Sequence, residues 1–255
     1  CLMPGVAEAN TQYGPGASAT GGDSVAVGDS AKATAGHATA VGTLTEADGT
    51  NSFVAGLQAK SGATAENSVA IGRGAQALGQ KRASDQFTAS TIAIGNNATA
   101  TENGDIVIGR QAKSIASTEH GNPGSGAVVA GAEAAAYGAR GDVVIGASAE
   151  TNVKIKQSGG TVDPKYAQGV AIGSTAKTYG TQSLALGADT RAIGNSCVAI
   201  GGDDIDMART ELETAVPQLK AGNGIKKSFN KEIETKFPGG LGSASINVKG
   251  KYANT

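Results

Sequence analysis

The sequence predicts an all-β chain wound as a parallel β-solenoid, a roll of 14-residue coils. Three observations predict it. A short apolar phrase closed by glycine recurs along the chain, as "NSVAIG" at Asn67–Gly72, "QSLALG" at Gln182–Gly187 and "NSCVAIG" at Asn195–Gly201. Each phrase alternates with period two, the signature of a strand with unlike faces. The composition has 39 Gly among 255 residues, no Trp and 4% aromatic side chains, too little bulk for an ordinary globular core.

The repeat is counted on the glycine that closes each apolar run, where a strand ends and the backbone turns. Those positions are Gly28, Gly42, Gly56, Gly72, Gly95, Gly109, Gly131, Gly146, Gly173, Gly187 and Gly201. The intervals are 14, 14, 16, 23, 14, 22, 15, 27, 14 and 14, so the period is 14 with insertions. A further match, "INVKG", ends at Gly250. Within a unit, Val69 and Ile71 share one face and Ser68 and Ala70 the other. Small residues at alternate places then predict a second short strand, as in "GAQALG" and "NNATATENG". Fourteen residues hold two strands and two tight turns but no crossover helix, which excludes a βαβ unit. Twelve such coils would make a rod about 55 Å long at the usual strand spacing.

By the rule that large aliphatics go inside, Val69 and Ile71 are expected to fill the coil. Ala70, Ala93, Ala171 and Ala199 are then expected on an outer face where neighbouring subunits approach closely. Two aliphatic side chains do not offset the entropy of ordering a whole coil, so no coil stands alone. Even the stack is thin enough to expect a covered flat face, and self-association covers it most simply. The residues therefore predict a homo-oligomer.

Repeated "NSVAIG", with "A-x-A-x-G" between copies, resembles the head domain of trimeric autotransporter adhesins, the YadA-like family of Gram-negative surfaces. The resemblance covers roughly Ala17 to Gly202 and resumes near Ser243. It implies a left-handed parallel β-roll, homotrimeric, with loop and helical insertions. It further implies display on a coiled-coil stalk and outer-membrane anchoring through a C-terminal barrel outside this stretch. The implied activity is non-enzymatic attachment to host extracellular matrix or cell-surface proteins, with no cofactor. The implied division is head repeats over 1–202, an insertion over 203–242 that is partly helical and basic, and a resumed coil over 243–255. The stretch departs from the simplest heads in having no clean neck sequence and no heptad stalk, and it is expected to be an N-terminal head fragment.

The insertion follows "AIGG". Asp203, Asp204 or Asp206 could cap a helix carrying Ile205, Ala208, Leu212, Ala215 and Val216, which Pro217 should stop or kink. Beyond it lie Lys220, Lys226, Lys227, Lys231 and Lys236, with Phe229 and Phe237 interleaved. These read as a solvated element packing its aromatics on the roll, or as a protrusion in which Lys220, Lys226, Lys227, Phe229, Lys231 and Lys236 meet a protein ligand. Shorter interruptions around Arg82, around His120 and from Asn152 to Tyr166 are candidates of the same kind. The last has the alternation of a β-hairpin.

Chemistry has little to work with. The histidines are His37 and His120, and no "HExxH", "CxxC", P-loop or calcium-binding "GGxGxD" repeat is present. Asp203 with Asp204, and Glu211 with Glu213, are expected as surface or cap charges, and no catalytic, cofactor-binding or metal residue is assigned. The formal charge of −1 supplies no net attraction for nucleic acid. No run approaches the roughly 18 apolar residues of a membrane span, so the stretch is expected not to be membrane-embedded. Cys197 is expected as a small packing residue, and a bridge to Cys1 is left open. An ice-binding solenoid would need a regular threonine ladder, which Lys, Gln and Glu interrupt between Thr34, Thr39, Thr64 and Thr99. An acyltransferase β-helix would need a hexapeptide period. A structural spacer, with adhesion placed in a stalk, is the remaining alternative.

Overall fold

The computed structural model describes residues 10–80, 90–115, 126–138, 141–153, 168–193 and 196–201. They build two parallel sheets. The first has twelve strands, from Thr11–Tyr13 through Val25–Val27 to Val198–Ile200, and the second eleven, from Ser18–Ala19 to Arg191–Ala192. Successive strands alternate between the sheets, so each coil contributes one strand to each and bonds to the coils before and after it. This is the predicted solenoid. It begins one coil earlier than the glycine alignment, because Thr11–Tyr13 pairs with Val25–Val27 and closes at Gly14.

Register survives the interruptions. Val25 pairs with Thr39 and Val27 with Val41 across a plain coil. Val143 pairs with Val170 and Ile145 with Ile172 across the longest interval in the roll. Among the described residues the register shifts once, between Ala77 and Gln80 in the second sheet.

The closing glycines stack on one another. Gly28 has φ 132°, and a Cβ there would lie 2.5 Å from the carbonyl oxygen of Gly42, one coil on. The turn therefore needs a residue that accepts a positive φ and also offers no side chain. Two residues further on, two turns pass through the left-handed region with Gly16 and Gly74, and most with ordinary residues, among them Ser30, Leu44 and Gln58. Such positions cost about 1 kcal/mol or more. Their amides are held by the coil before: Ser30 N–H donates to Pro15 O at 2.8 Å, Leu44 N–H to Asp29 O at 2.8 Å and Gln58 N–H to Thr43 O at 3.0 Å.

The assignment of faces is the reverse of the sequence expectation. Ala70, Ala93, Ala171 and Ala199 are each 0% exposed, whereas Ile71 is 37% exposed and Val69 half-buried. Ser68 is buried beside Ala70. Every member of the main core cluster is Ala or Val. The physical reason is thickness. Two strands joined by turns of a few residues lie too close together for opposed Ile or Leu side chains, and packing to native density then demands methyl-sized contents. Val54, Val107, Val129 and Val144 mark the upper size limit at the centre of the first-sheet strands.

Candidate assembly face

Because the small side chains point inward, the large ones point out. On the first sheet the two outward positions of each strand are occupied from Val25 to Ile200 by Val, Ile, Leu, Ala, one Thr and one Phe. Phe53 is 42%, Ile108 44% and Ile200 47% exposed. At ordinary strand spacing the stripe is about 55 Å long. Two outward side chains across, about 10 Å, it covers on the order of 500 Å², the upper end of what a monomeric protein leaves bare and a size that marks interaction sites.

The outward face of the second sheet has the opposite character. Lys32, Glu46, Lys60 and Gln76 follow one another there in register, and Glu150, Lys177 and Arg191 do so further on. Lys32 Nζ lies 3.6 Å from Glu46 Oε1, and Lys177 Nζ lies 2.9 Å from Glu150 Oε2. Ala135, Tyr137 and Glu150 are buried on this face, with Lys113 over the Tyr137 ring; away from them the second sheet presents charge and the first presents apolar side chains.

Polar groups inside the roll cluster where the intervals lengthen. Asp105 and Asp142 occupy the column that holds Ser24, Ser52 and Ser68 elsewhere, and both are 0% exposed. Asp105 Oδ1 accepts the Ala127 amide at 3.0 Å, and its Oδ2 accepts from Glu102 N–H at 2.9 Å and Ser114 Oγ at 2.5 Å. Asp142 Oδ1 accepts the Gly169 amide at 2.6 Å, and its Oδ2 accepts from Thr151 Oγ1 at 2.9 Å and Asn152 Nδ2 at 2.7 Å. In plain coils the corresponding amide bonds within its own turn, as Ala38 N–H does to Ala35 O and Ser52 N–H to Gly49 O. At the intervals of 22 and 27 residues, where longer sequence replaces the turn, the carboxylate of the preceding coil takes that amide. Burial raises the pKa of Asp105, and raises that of Asp142 from 3.8 to about 6, against the lowering effect of these hydrogen bonds.

Lys220, Lys226, Lys227, Phe229, Lys231 and Lys236 lie outside the described residues, as do the expected helix after Asp203, the resumed coil at 243–255, Cys1, and the segments around Arg82 and His120. Of the expected hairpin, only Asn152 and Val153 are described, and both are buried. Cys197 is a free thiol packed partly buried against the core. The threonines divide between surfaces: Thr39 lies in a first-sheet strand, Thr99 in a second-sheet strand, and Thr34 donates to Asp48 at 2.6 Å. They form no ladder. Among the described residues no three His, Cys, Asp or Glu side chains converge as a metal site requires.

The apolar face and the buried aspartates were the features that sequence reasoning missed. The available signal was a size ceiling. The middle residue of the apolar phrase never exceeds Val, while its flanks accept Phe and Leu.

The sequence matches the YadA head domain repeat over residues 14–31, 19–45, 63–81, 89–112 and 167–190. No curated protein matches the chain. The matched stretches fall on the coils themselves, with both strands and the stacked glycines in place. The roll is accordingly built of YadA head repeats, the unit of the YadA-like head domains that belong to outer-membrane-anchored surface autotransporter adhesins.

Proposed function

We propose that this chain is the head of a bacterial surface adhesin that assembles as a homotrimer through the outward face of its first sheet and attaches to host extracellular matrix or cell-surface proteins. The observation that carries this reading is the asymmetry of the two outward faces, apolar on the first sheet and charged on the second. A second copy is the simplest cover for an apolar stripe, because it presents the same stripe with the same coil spacing. The number three and the surface location come with the family. Assembly leaves the charged faces outward, and three copies make weak contacts act together on a fibrous ligand. Recognition then needs no chemistry. The basic stretch from Lys220 to Lys236 is a candidate contact.

The test is the mass of the purified chain in solution together with its binding to a panel of matrix proteins. A trimer that binds at least one of them is expected. A monomer overturns the assembly. A trimer that binds none, while intact bacteria adhere, moves adhesion to a stalk and leaves the roll as a spacer. Deletion of 203–236 with unchanged binding removes the basic stretch from the reading.

A further inference from the structure

The apolar stripe has a difficulty built into it. Its rungs are chemically alike: Val69 with Ile71, Val143 with Ile145, Val170 with Ile172 and Val198 with Ile200 present the same pair, and most of the others set one aliphatic side chain beside another. Sliding one copy along another by one coil, about 4.8 Å, replaces one small set of aliphatic side chains by another along most of the length. A uniform repeating interface therefore specifies its own register weakly, as a featureless strand or coiled-coil seam does.

One rung departs from the pattern in a way that self-contact can read. Phe53 is the single aromatic side chain on the stripe between Val25 and Ile200, and it projects outward at 42% exposure. Two residues on, at the second outward position of the same strand, stands Ala55. The coil thus carries the largest side chain of the stripe next to one of its smallest. In a cyclic assembly each copy meets the next head to tail, so the first outward column of one copy abuts the second column of its neighbour. With copies level, Phe53 fills the space over a neighbour's Ala55. With copies slipped by one coil, Phe53 meets Val41 or Ile71, the residues in register with Ala55 on either side, and the space over Ala55 is left unfilled. Overpacking at one place and a void at another both oppose the slip.

We infer that Phe53 and Ala55 form the register key of the assembly, a projection and a recess that hold copies of this chain level with one another. The inference rests on self-association through the first sheet, as proposed above. The key adds specificity: the other rungs supply contact area at any register, and this rung selects one.

Cross-linking in chains with Cys1 and Cys197 replaced by alanine tests it. Chains carrying Ile92→Cys are co-assembled either with chains carrying Ile94→Cys, from the same coil, or with chains carrying Ile108→Cys, from the next. With Phe53 and Ala55 in place, the level pair is expected to cross-link at least about tenfold more than the slipped pair, a bias within reach of one misfit per interface. Levelling the rung with Phe53→Val and Ala55→Ile, the pair found at Val69 and Ile71, is expected to bring the slipped product toward parity. The exchange Phe53→Ala with Ala55→Phe keeps a projection beside a recess and is expected to retain the level product. Strict register in the levelled variant, or equal products with Phe53 present, overturns the key while leaving self-association intact. A chain that sediments as a monomer and cross-links in neither mixture overturns self-association itself.

Discussion

The Oδ1 atom of Asp142 accepts the amide of Gly169 at 2.6 Å, joining residues 27 apart in sequence at the coil that follows the longest interruption. A buried carboxylate is a costly way to hold one amide. It is placed where the turn that normally holds that amide has been replaced.

The pH response of this contact has a definite sign. Asp142 is raised from 3.8 to about 6 in the fold, so the native state binds more protons than the unfolded chain between those values. Its contribution to stability is fully present below about pH 4 and is lost as pH rises through about 6. The chain is therefore expected to gain stability on going from pH 7.5 to 4.5 as far as this group is concerned, by up to about 2 kcal/mol. Asp105, also raised, acts in the same direction. Urea unfolding at both pH values checks this, with Asp142→Asn expected to flatten the difference. An equally steep response in that variant refutes the assignment.

Glycine substitutions are expected to separate into two classes. Gly28→Ala places a Cβ 2.5 Å from the Gly42 carbonyl oxygen at φ 132°, and should cost about 3 kcal/mol or more. Gly126→Ala has φ 81° but meets no atom within 4 Å, and should cost only about 1 kcal/mol. Thermal unfolding of the two variants side by side measures the contrast.

The interior should be sensitive to volume in steps. Ala93 pairs with Ala70 on one side and Val107 on the other, and Val is already accommodated at equivalent positions. Ala93→Val is expected to cost less than about 1.5 kcal/mol, and Ala93→Leu about 1–3 kcal/mol or more. Denaturant midpoints of the two proteins give the comparison.

The outward faces should respond to charge in opposite ways. Ile108→Lys puts an ammonium group on the apolar stripe and is expected to weaken self-association at least tenfold, the effect of about 1.4 kcal/mol. Lys32→Ile, on the charged face, is expected to leave the association constant within about twofold. Sedimentation across a concentration series distinguishes them. The opposite outcome would place the interface on the second sheet.

The period, the strand alternation and the parallel stack were legible in the sequence because each depends on spacing alone. Positions such as Gly28 and Gly42 report a turn wherever they occur, and equal intervals report stacking. The inside of the coil was misread because alternation distinguishes two faces without saying which is enclosed. Ranking by hydrophobicity put Val69 and Ile71 inside. The distance between the sheets put Ala70 there instead, and that distance is set by turn geometry that no single residue announces. Asp105 and Asp142 were illegible for a related reason. A charged residue reads as surface unless its column is known, and their column is that of Ser24 and Ser68.

The in-register pairing of Ile145 with Ile172 across the longest interval has a counterpart in how such a molecule can change over generations. New sequence can enter between two coils without altering how they stack, and whole coils can be gained or lost between two glycines without disturbing the remainder. Reach and surface variety are thereby separate inheritances. A bacterium can lengthen this rod, or redecorate it, by edits that never have to solve the folding problem again.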